Sequence, residues 1–337
     1  MNLVRAELER LGARRFVQLM LVLLAFAFII TAATNVAVSH RPTAAEVSTA
    51  QQKAAAEIRE MELRHNQCLA REHRDISDPL GDEYYYPEDC SVLDPAQRER
   101  MPIAADHLSG VFVFGDATEL LYILIAFLVL FGFLVGASYI GADLTSGGVV
   151  NLLLWRPRRV TVLAAKLGTL LAAVLLLAVV ATAVYLVTFW LIALLDGYVG
   201  PVDGAFWSDL GATWGRGVVV VLVATVVGFA IATLGRHTSA ALGAVAAYAV
   251  FWELGAQVVL QILDIPRVDQ LMLSSYVGAW LSGGVQLWDA SACTGPTTGP
   301  CDGTYLLTWQ AGLVVLLLLA GGLAAAAFTT FRRRDLI

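Results

Sequence analysis

Charge is scarce in this sequence: Asp, Glu, Lys and Arg make up 15% of its 337 residues against 58% apolar, and the mean hydropathy is +0.70. So little polar surface cannot cover a soluble globule of this size, which leaves lipid as the solvent for much of the chain. Chemical motifs are missing as well. There is no Gly-x-x-x-x-Gly-Lys-Ser/Thr phosphate loop, so the chain has no recognisable means of binding and hydrolysing ATP. His-Glu-x-x-His and Gly-x-Ser-x-Gly are equally absent, which makes an intramembrane enzyme a poor reading. No catalytic residue, cofactor site, metal site or nucleic-acid partner is expected.

What is present is a series of long apolar runs, each able to cross roughly 30 Å of hydrocarbon. They lie near Phe16–Val38, Leu120–Ile140, Val162–Leu194, Gly217–Leu234, Ala240–Leu260 and Tyr305–Thr329. The expected fold class is an all-α integral membrane protein of six transmembrane helices. Its parts are an interfacial helix and first span over 1–38, an extracellular insertion over 39–118, and a core of the remaining spans over 119–337. The run from Phe16 exceeds a usual signal-peptide core, so it should remain as an anchor. Before it, Arg5, Arg10, Arg14 and Arg15 accompany Leu3, Val4, Leu8 and Leu11 at helical spacing, the pattern of an amphipathic interfacial helix.

Basic residues set the orientation. Arg156, Arg158, Arg159 and Lys166 after span two, Arg236 after span four, and Arg332, Arg333 and Arg334 after span six fall on the side of the basic N-terminus. That side is the cytoplasm, with both termini in it and the protein multi-pass in the cell membrane. The basic residues of the insertion lie in a long acid-rich segment, where the charge rule has little force. Within it, the Ala-, Glu-, Gln- and Arg-rich stretch Thr43–Arg74 favours a solvated helix, and the stretch around Asp78–Asp89 reads as loop.

All four cysteines fall on the predicted outer side, Cys68 and Cys90 in the insertion, Cys293 and Cys301 in the last outer loop. Two local disulfides, Cys68–Cys90 and Cys293–Cys301, are expected there; free thiols or metal ligands are the alternative, without a full zinc set to support it. Between spans five and six, 261–304 is too broken for a further span and reads as short re-entrant or interfacial helices, with Trp280 and Trp288 at headgroup level.

Glu253 is the costly carboxylate within the spans. It is either part of a transport path or proton relay, together with Gln257, or one member of a structural polar stripe with Gln257 and Gln261. The cytoplasmic segment 142–160 joins spans two and three. In it a Gly-containing polar break precedes a short apolar stretch, which Pro157 ends among Arg156, Arg158 and Arg159. Composition alone leaves it either an element gripped by another protein or an anchoring loop.

Asp143, Gly147, Leu152–Leu154, Pro157, Arg158 or Arg159, and Lys166 are arranged as in the ABC-2 type permeases, which this sequence resembles; its ending Phe331-Arg-Arg-Arg-Asp-Leu336 is also similar to a common ending in that family. Two departures are Asp143, where Glu is more frequent, and the large insertion. The resemblance implies a bacterial exporter permease pairing with a second copy, identical or similar, and with two cytoplasmic ATPase subunits that carry the ATP and Mg. Asp143, Gly147, Trp155, Arg156, Pro157, Arg158 and Arg159 would dock on the ATPase. Gly132, Gly136 and Ala137 on span two would suit close helix approach in such a dimer. A membrane-bound sensor or scaffold whose insertion binds a partner, and an ion-coupled secondary transporter, are the competing functions.

Overall fold

A computed structural model describes residues 2–72, 90–97, 101–146, 159–263, 265–289 and 303–333. Its long helices are α2 (Arg15–Val38), α3 (Ala44–Glu72), α4 (Ala117–Thr145), α5 (Arg159–Asp196), α6 (Gly204–Gly235) and α10 (Trp309–Arg333), and α1 (Asn2–Gly12) precedes them. The fifth apolar run forms α7 (Thr238–Ala247), a π-helical stretch over Tyr248–Ala256, and α8 (Gln257–Ile262); α9 (Leu273–Ser282) follows. Six helical segments among the described residues are long and apolar enough to cross a membrane: Arg15–Val38, Phe114–Thr145, Arg159–Asp196, Gly204–Gly235, Thr238–Ile262 and Trp309–Arg333. The chain is a mostly helical multi-pass membrane protein.

Two expectations need correction. Four short strands accompany the helices of an otherwise all-α chain: β1 (Phe112–Val113) pairs in parallel with β2 (Gly197–Tyr198), and β3 (Gly284–Trp288) pairs antiparallel with β4 (Thr304–Thr308). Span six therefore begins at Trp309 rather than Tyr305: the β-branched and aromatic run Thr304–Thr308 satisfies its backbone across the hairpin. Among the described residues the region before it holds the short helical turn Val268–Leu271, α9 and this hairpin instead of helices alone. The helix of the fourth run starts at Gly204, well ahead of its apolar part, because the Asp203 carboxylate accepts the Phe206 amide at 2.9 Å and caps it.

The chain divides into two compact units. The first comprises Met1–Ile30, Thr118–Leu186 and Asp203–Ile337. Its centre is the pair α4 and α6, with half or more of the residues in their most apolar windows buried, whereas none is buried in the corresponding window of the fifth span. Gly132 and Gly136 of α4 face Thr225 and Phe229 of α6, and Gly228 of α6 faces Phe133. A Cβ at Gly136 would stand 2.6 Å from the Thr225 carbonyl oxygen. These small residues, with fully buried Ala137, serve a seam inside one chain, not the expected approach of a second copy. On the other side of α6, Val220 and Val223 pack with Trp280 of α9 and with Leu316 and Ala320 of α10. Trp280 is accordingly a core residue whose indole donates to the Arg216 carbonyl at 2.9 Å, while Trp288 is exposed.

The second unit comprises Thr31–Ala117 and Val187–Val202. Ala50, Ala54, Met61 and Cys68 make one buried stripe along α3, which lies against the short helical turns Cys90–Leu93 and Ala104–His107. A Cys68–Cys90 disulfide, Cα–Cα 5.7 Å, fastens the end of α3 there. Phe112 and Phe114 meet Phe189 and Trp190 at ring separations of 5.5 and 5.0 Å. Thr43 and Glu46 form a capping box at the start of α3, the Glu46 carboxylate accepting the Thr43 amide at 2.7 Å and hydroxyl at 2.9 Å. The loop expected around Asp78–Asp89 lies outside the described residues.

Two predictions follow from these contacts with opposite signs of effect. Gly136→Ala drives a methyl into a backbone carbonyl and should cost about 1–3 kcal/mol, whereas Gly322→Ala, in α10 with open space around it, should be neutral or stabilising by about 0.5–1 kcal/mol. Thermal unfolding in detergent reads both. At the α3 cap, the Thr43 amide and then its hydroxyl hold the Glu46 carboxyl below its ordinary value. A depressed folded-state pKa gives stabilisation that is complete above the ordinary Glu range and lost as pH falls through the folded value. Hydrogen-exchange protection of the first turn of α3 should fall over that acidic window in the wild type and be flat there in Glu46→Gln.

Candidate functional site

The segment 142–160 is described at its two stems. Gly147, Trp155, Arg156, Pro157 and Arg158 lie outside the described residues, as do Cys293 and Cys301. The first stem is the last turn of α4, where Asp143 stands one turn beyond Tyr139 on the same face. The second is the start of α5, with Arg159 as its first residue and Lys166 two turns further in.

The stems are joined. Lys166 Nζ donates to Asp143 Oδ2 at 2.7 Å and to Glu7 Oε2 on α1 at 2.8 Å. The Tyr139 hydroxyl also donates to Glu7 Oε2. Arg14, in the α1–α2 turn, pairs with Asp143 Oδ1 and donates to the Tyr139 and Ser138 carbonyls at 2.9 and 3.3 Å. Both cations also lie over the Tyr139 ring, Arg14 at 4.8 Å and Lys166 at 5.0 Å from its centre. Two carboxylates and two cations, joined end to end through Tyr139, thus close into a ring whose four charges sum to zero.

The ring is sheltered from water: the side chains of Glu7 and Lys166 are 2% exposed, Asp143 15% and Arg14 21%. Removing four charges from water is costly, and mutual attraction offsets that cost only where the remaining donors and acceptors are also satisfied. Here Lys166 meets two carboxylates and the Tyr139 ring, Glu7 a phenol as well, and Arg14 two backbone carbonyls. On α1, Glu7 and Leu11 are spaced four residues apart and share one face. The inward face of α1 therefore carries a carboxylate, and Leu8, expected on the apolar stripe, is 43% exposed. Counting Lys166 among the interfacial basic residues misplaces it, because it is buried in the protein.

Sequence reasoning found Asp143 and Lys166 through family resemblance but not Glu7, Arg14 or Tyr139. An acidic residue three before Arg10 and seven before Arg14 is ordinary on a solvated helix. The signal available was Glu7 standing beside Leu8 and four residues before Leu11, inside the stripe that had to face something.

Glu253 occupies a different place, at the other end of the helices that precede α9. Its carboxylate accepts the Tyr248 hydroxyl at 2.8 Å, the Ser274 amide at 3.1 Å and the Ser274 hydroxyl at 3.0 Å. Residues five apart diverge by about 140° in an α-helix, so the π-helical turn is what aligns Tyr248 with Glu253. Trp252 adds a bond to the Leu271 carbonyl at 3.0 Å. Glu253 thereby caps the N-terminus of α9 and holds it to the fifth span. Gln257 opens α8 and is half-buried. Past the cap, Arg267 donates to the buried Asp289 at 2.6 Å, which holds its guanidinium above the ordinary value.

The buried ring generates a mutational prediction. Lys166→Met leaves Glu7 and Asp143 without their shared cation and should destabilise the protein by about 3–5 kcal/mol. Arg10→Ala removes an exposed partner 3.7 Å from Glu7 and should stay within about 1 kcal/mol. Thermal midpoints in detergent compare the two.

A family model described as ABC-2 family transporter protein matches residues 1–336. No curated protein matches, and no solved structure matches.

Proposed function

The chain belongs to the ABC-2 transporter family, whose membrane permeases carry no ATPase domain, and we propose that it is the permease subunit of an ATP-driven exporter. In this reading it works as a dimer with a second permease copy, and separate ATPase subunits carry the ATP and Mg. The α4–α5 segment, with Asp143, Gly147, Trp155, Arg156, Pro157, Arg158 and Arg159, docks on the ATPase.

The observation that carries the reading is the ion pair between Asp143 and Lys166. It clasps the two stems of the proposed docking segment, so a push on that segment reaches α4 and α5 together instead of being absorbed by a flexible loop. The basic residues at this end favour a cytoplasmic placement with both termini inside the cell. The Cys68–Cys90 disulfide favours an extracellular second unit, since such bonds persist outside the reducing cytosol. Cys293–Cys301 is proposed as a second bridge on that side.

Purification of the tagged chain in mild detergent should bring down a stoichiometric ATPase bearing a phosphate-loop motif. Arg158→Glu with Arg159→Glu should leave the permease in the membrane and abolish its stimulation of that ATPase. Full retention of coupled ATP turnover would defeat the docking assignment. Absence of any ATPase after crosslinking in native membranes would favour a sensor whose outer unit binds a partner.

A further inference from the structure

We propose that α1 is a moving part of the coupling apparatus, and that Glu7 is the positioning residue tying it to α5. The inference rests on the permease reading above and extends it to a helix that the sequence presents as a lipid anchor.

The buried face of α1 carries a charged side chain. A helix that lies on a membrane keeps its charges toward water and headgroups and puts apolar side chains inward. In α1 the carboxylate of Glu7 is shut away beside Leu11, at 2% exposure, while Leu8 remains open to the surroundings. Nothing about lipid anchoring requires Glu7 to be buried. Nor is stability a sufficient reason, because well-packed apolar residues at such a site are commonly as stable as a buried ion pair. What an ion pair supplies and apolar contact does not is register: Glu7 Oε2 has one position within reach of both Lys166 Nζ and the Tyr139 hydroxyl.

The mechanical consequence comes from Lys166 being shared. Its ammonium holds Asp143 on α4 and Glu7 on α1 at once, and Arg14 closes the circuit from the α1–α2 turn back to Asp143. A displacement of the α5 stem of even a few ångströms must carry α1 with it or break a buried charge pair. Because α1 leads through Arg14 directly into α2, the linkage hands motion of the docking segment to a third span that the segment does not itself touch in sequence.

The test is hydrogen–deuterium exchange on the full-length permease purified with its ATPase, with and without a non-hydrolysable ATP analogue. In the wild type, nucleotide should change exchange in residues 2–12 in step with residues 159–170. In Glu7→Gln the response of 159–170 should persist while that of 2–12 disappears, and permease-dependent ATP turnover per complex should fall about fivefold or more. Glu7→Asp should restore part of both. A merely structural Glu7 would lower the yield of complex but leave the nucleotide response of 2–12 intact in whatever complex forms.

The proposal is overturned if 159–170 responds in the wild type and 2–12 does not. It is equally overturned if Leu8→Gln removes the α1 response and Glu7→Gln leaves it, the outcome expected of a lipid anchor. Failure of the permease reading looks different, because then no ATPase accompanies the chain and neither stretch responds to nucleotide.

Discussion

One ammonium group shared by two carboxylates organises an end of this membrane protein. Lys166 is buried two turns into α5, and a buried ammonium is tolerated only with its charge matched. Asp143 from α4 and Glu7 from α1 match it, and Arg14 then balances the second negative charge. Each of these residues is required by another of the set. The termini of α4 and α5, the entry of α2 and the whole placement of α1 are consequences of that one requirement.

The ring is effective because the helices behind it are in close contact. The glycines of α4 and α6 bring backbone against backbone, where each closer approach adds dispersion contacts that lipid tails cannot match. A rigid α4–α6 pair gives Asp143 and Tyr139 fixed positions. The lengths of the helices matter too. At 1.5 Å per residue, the 38 residues of α5 extend about 57 Å, well beyond a hydrocarbon core of about 30 Å. The Lys166 end can therefore engage α1 without pulling apolar residues out of the bilayer.

Much of this was legible in the sequence, and the limits of the reading have physical causes. Long apolar runs located the membrane helices, because lipid enforces an average property over some twenty residues. The solvated α3 and the Cys68–Cys90 bond were also readable, from composition and from cysteines confined to one segment. The start of α6 and the end of the β3–β4 hairpin were not, since they depend on a single Asp203 cap and on pairing between strands distant in sequence. Glu253 was recognised as costly, but its acceptor role depends on a π-turn that no pattern of residue types announces. The ion ring was half visible: Asp143 and Lys166 stood in a recognisable arrangement. Arg14 was read as a charge of an interfacial helix and Glu7 was not singled out, because a helix far along the chain decides whether they are sheltered.

Two sites in the first unit solve the same problem with the same chemistry. In water a short amphipathic helix docks because burying apolar surface is favourable, but a membrane offers lipid as an equally good apolar partner, so the apolar contacts of Leu11 on α1 and Trp280 on α9 do not by themselves fix where these helices sit. Each is instead fastened by a carboxylate: Glu7 reaches from α1 to Lys166 and Tyr139, and Glu253 reaches from the fifth span to the first turn of α9. Such bonds are strong where water is scarce and fail abruptly once their geometry is lost. A fastener of that kind transmits small displacements faithfully and releases at larger ones, which suits short elements that must follow a long helix through a cycle of movement. It also explains why both carboxylates stand at the junction of a short helix with a long one, rather than in the middle of the α4–α6 seam, where close packing alone suffices.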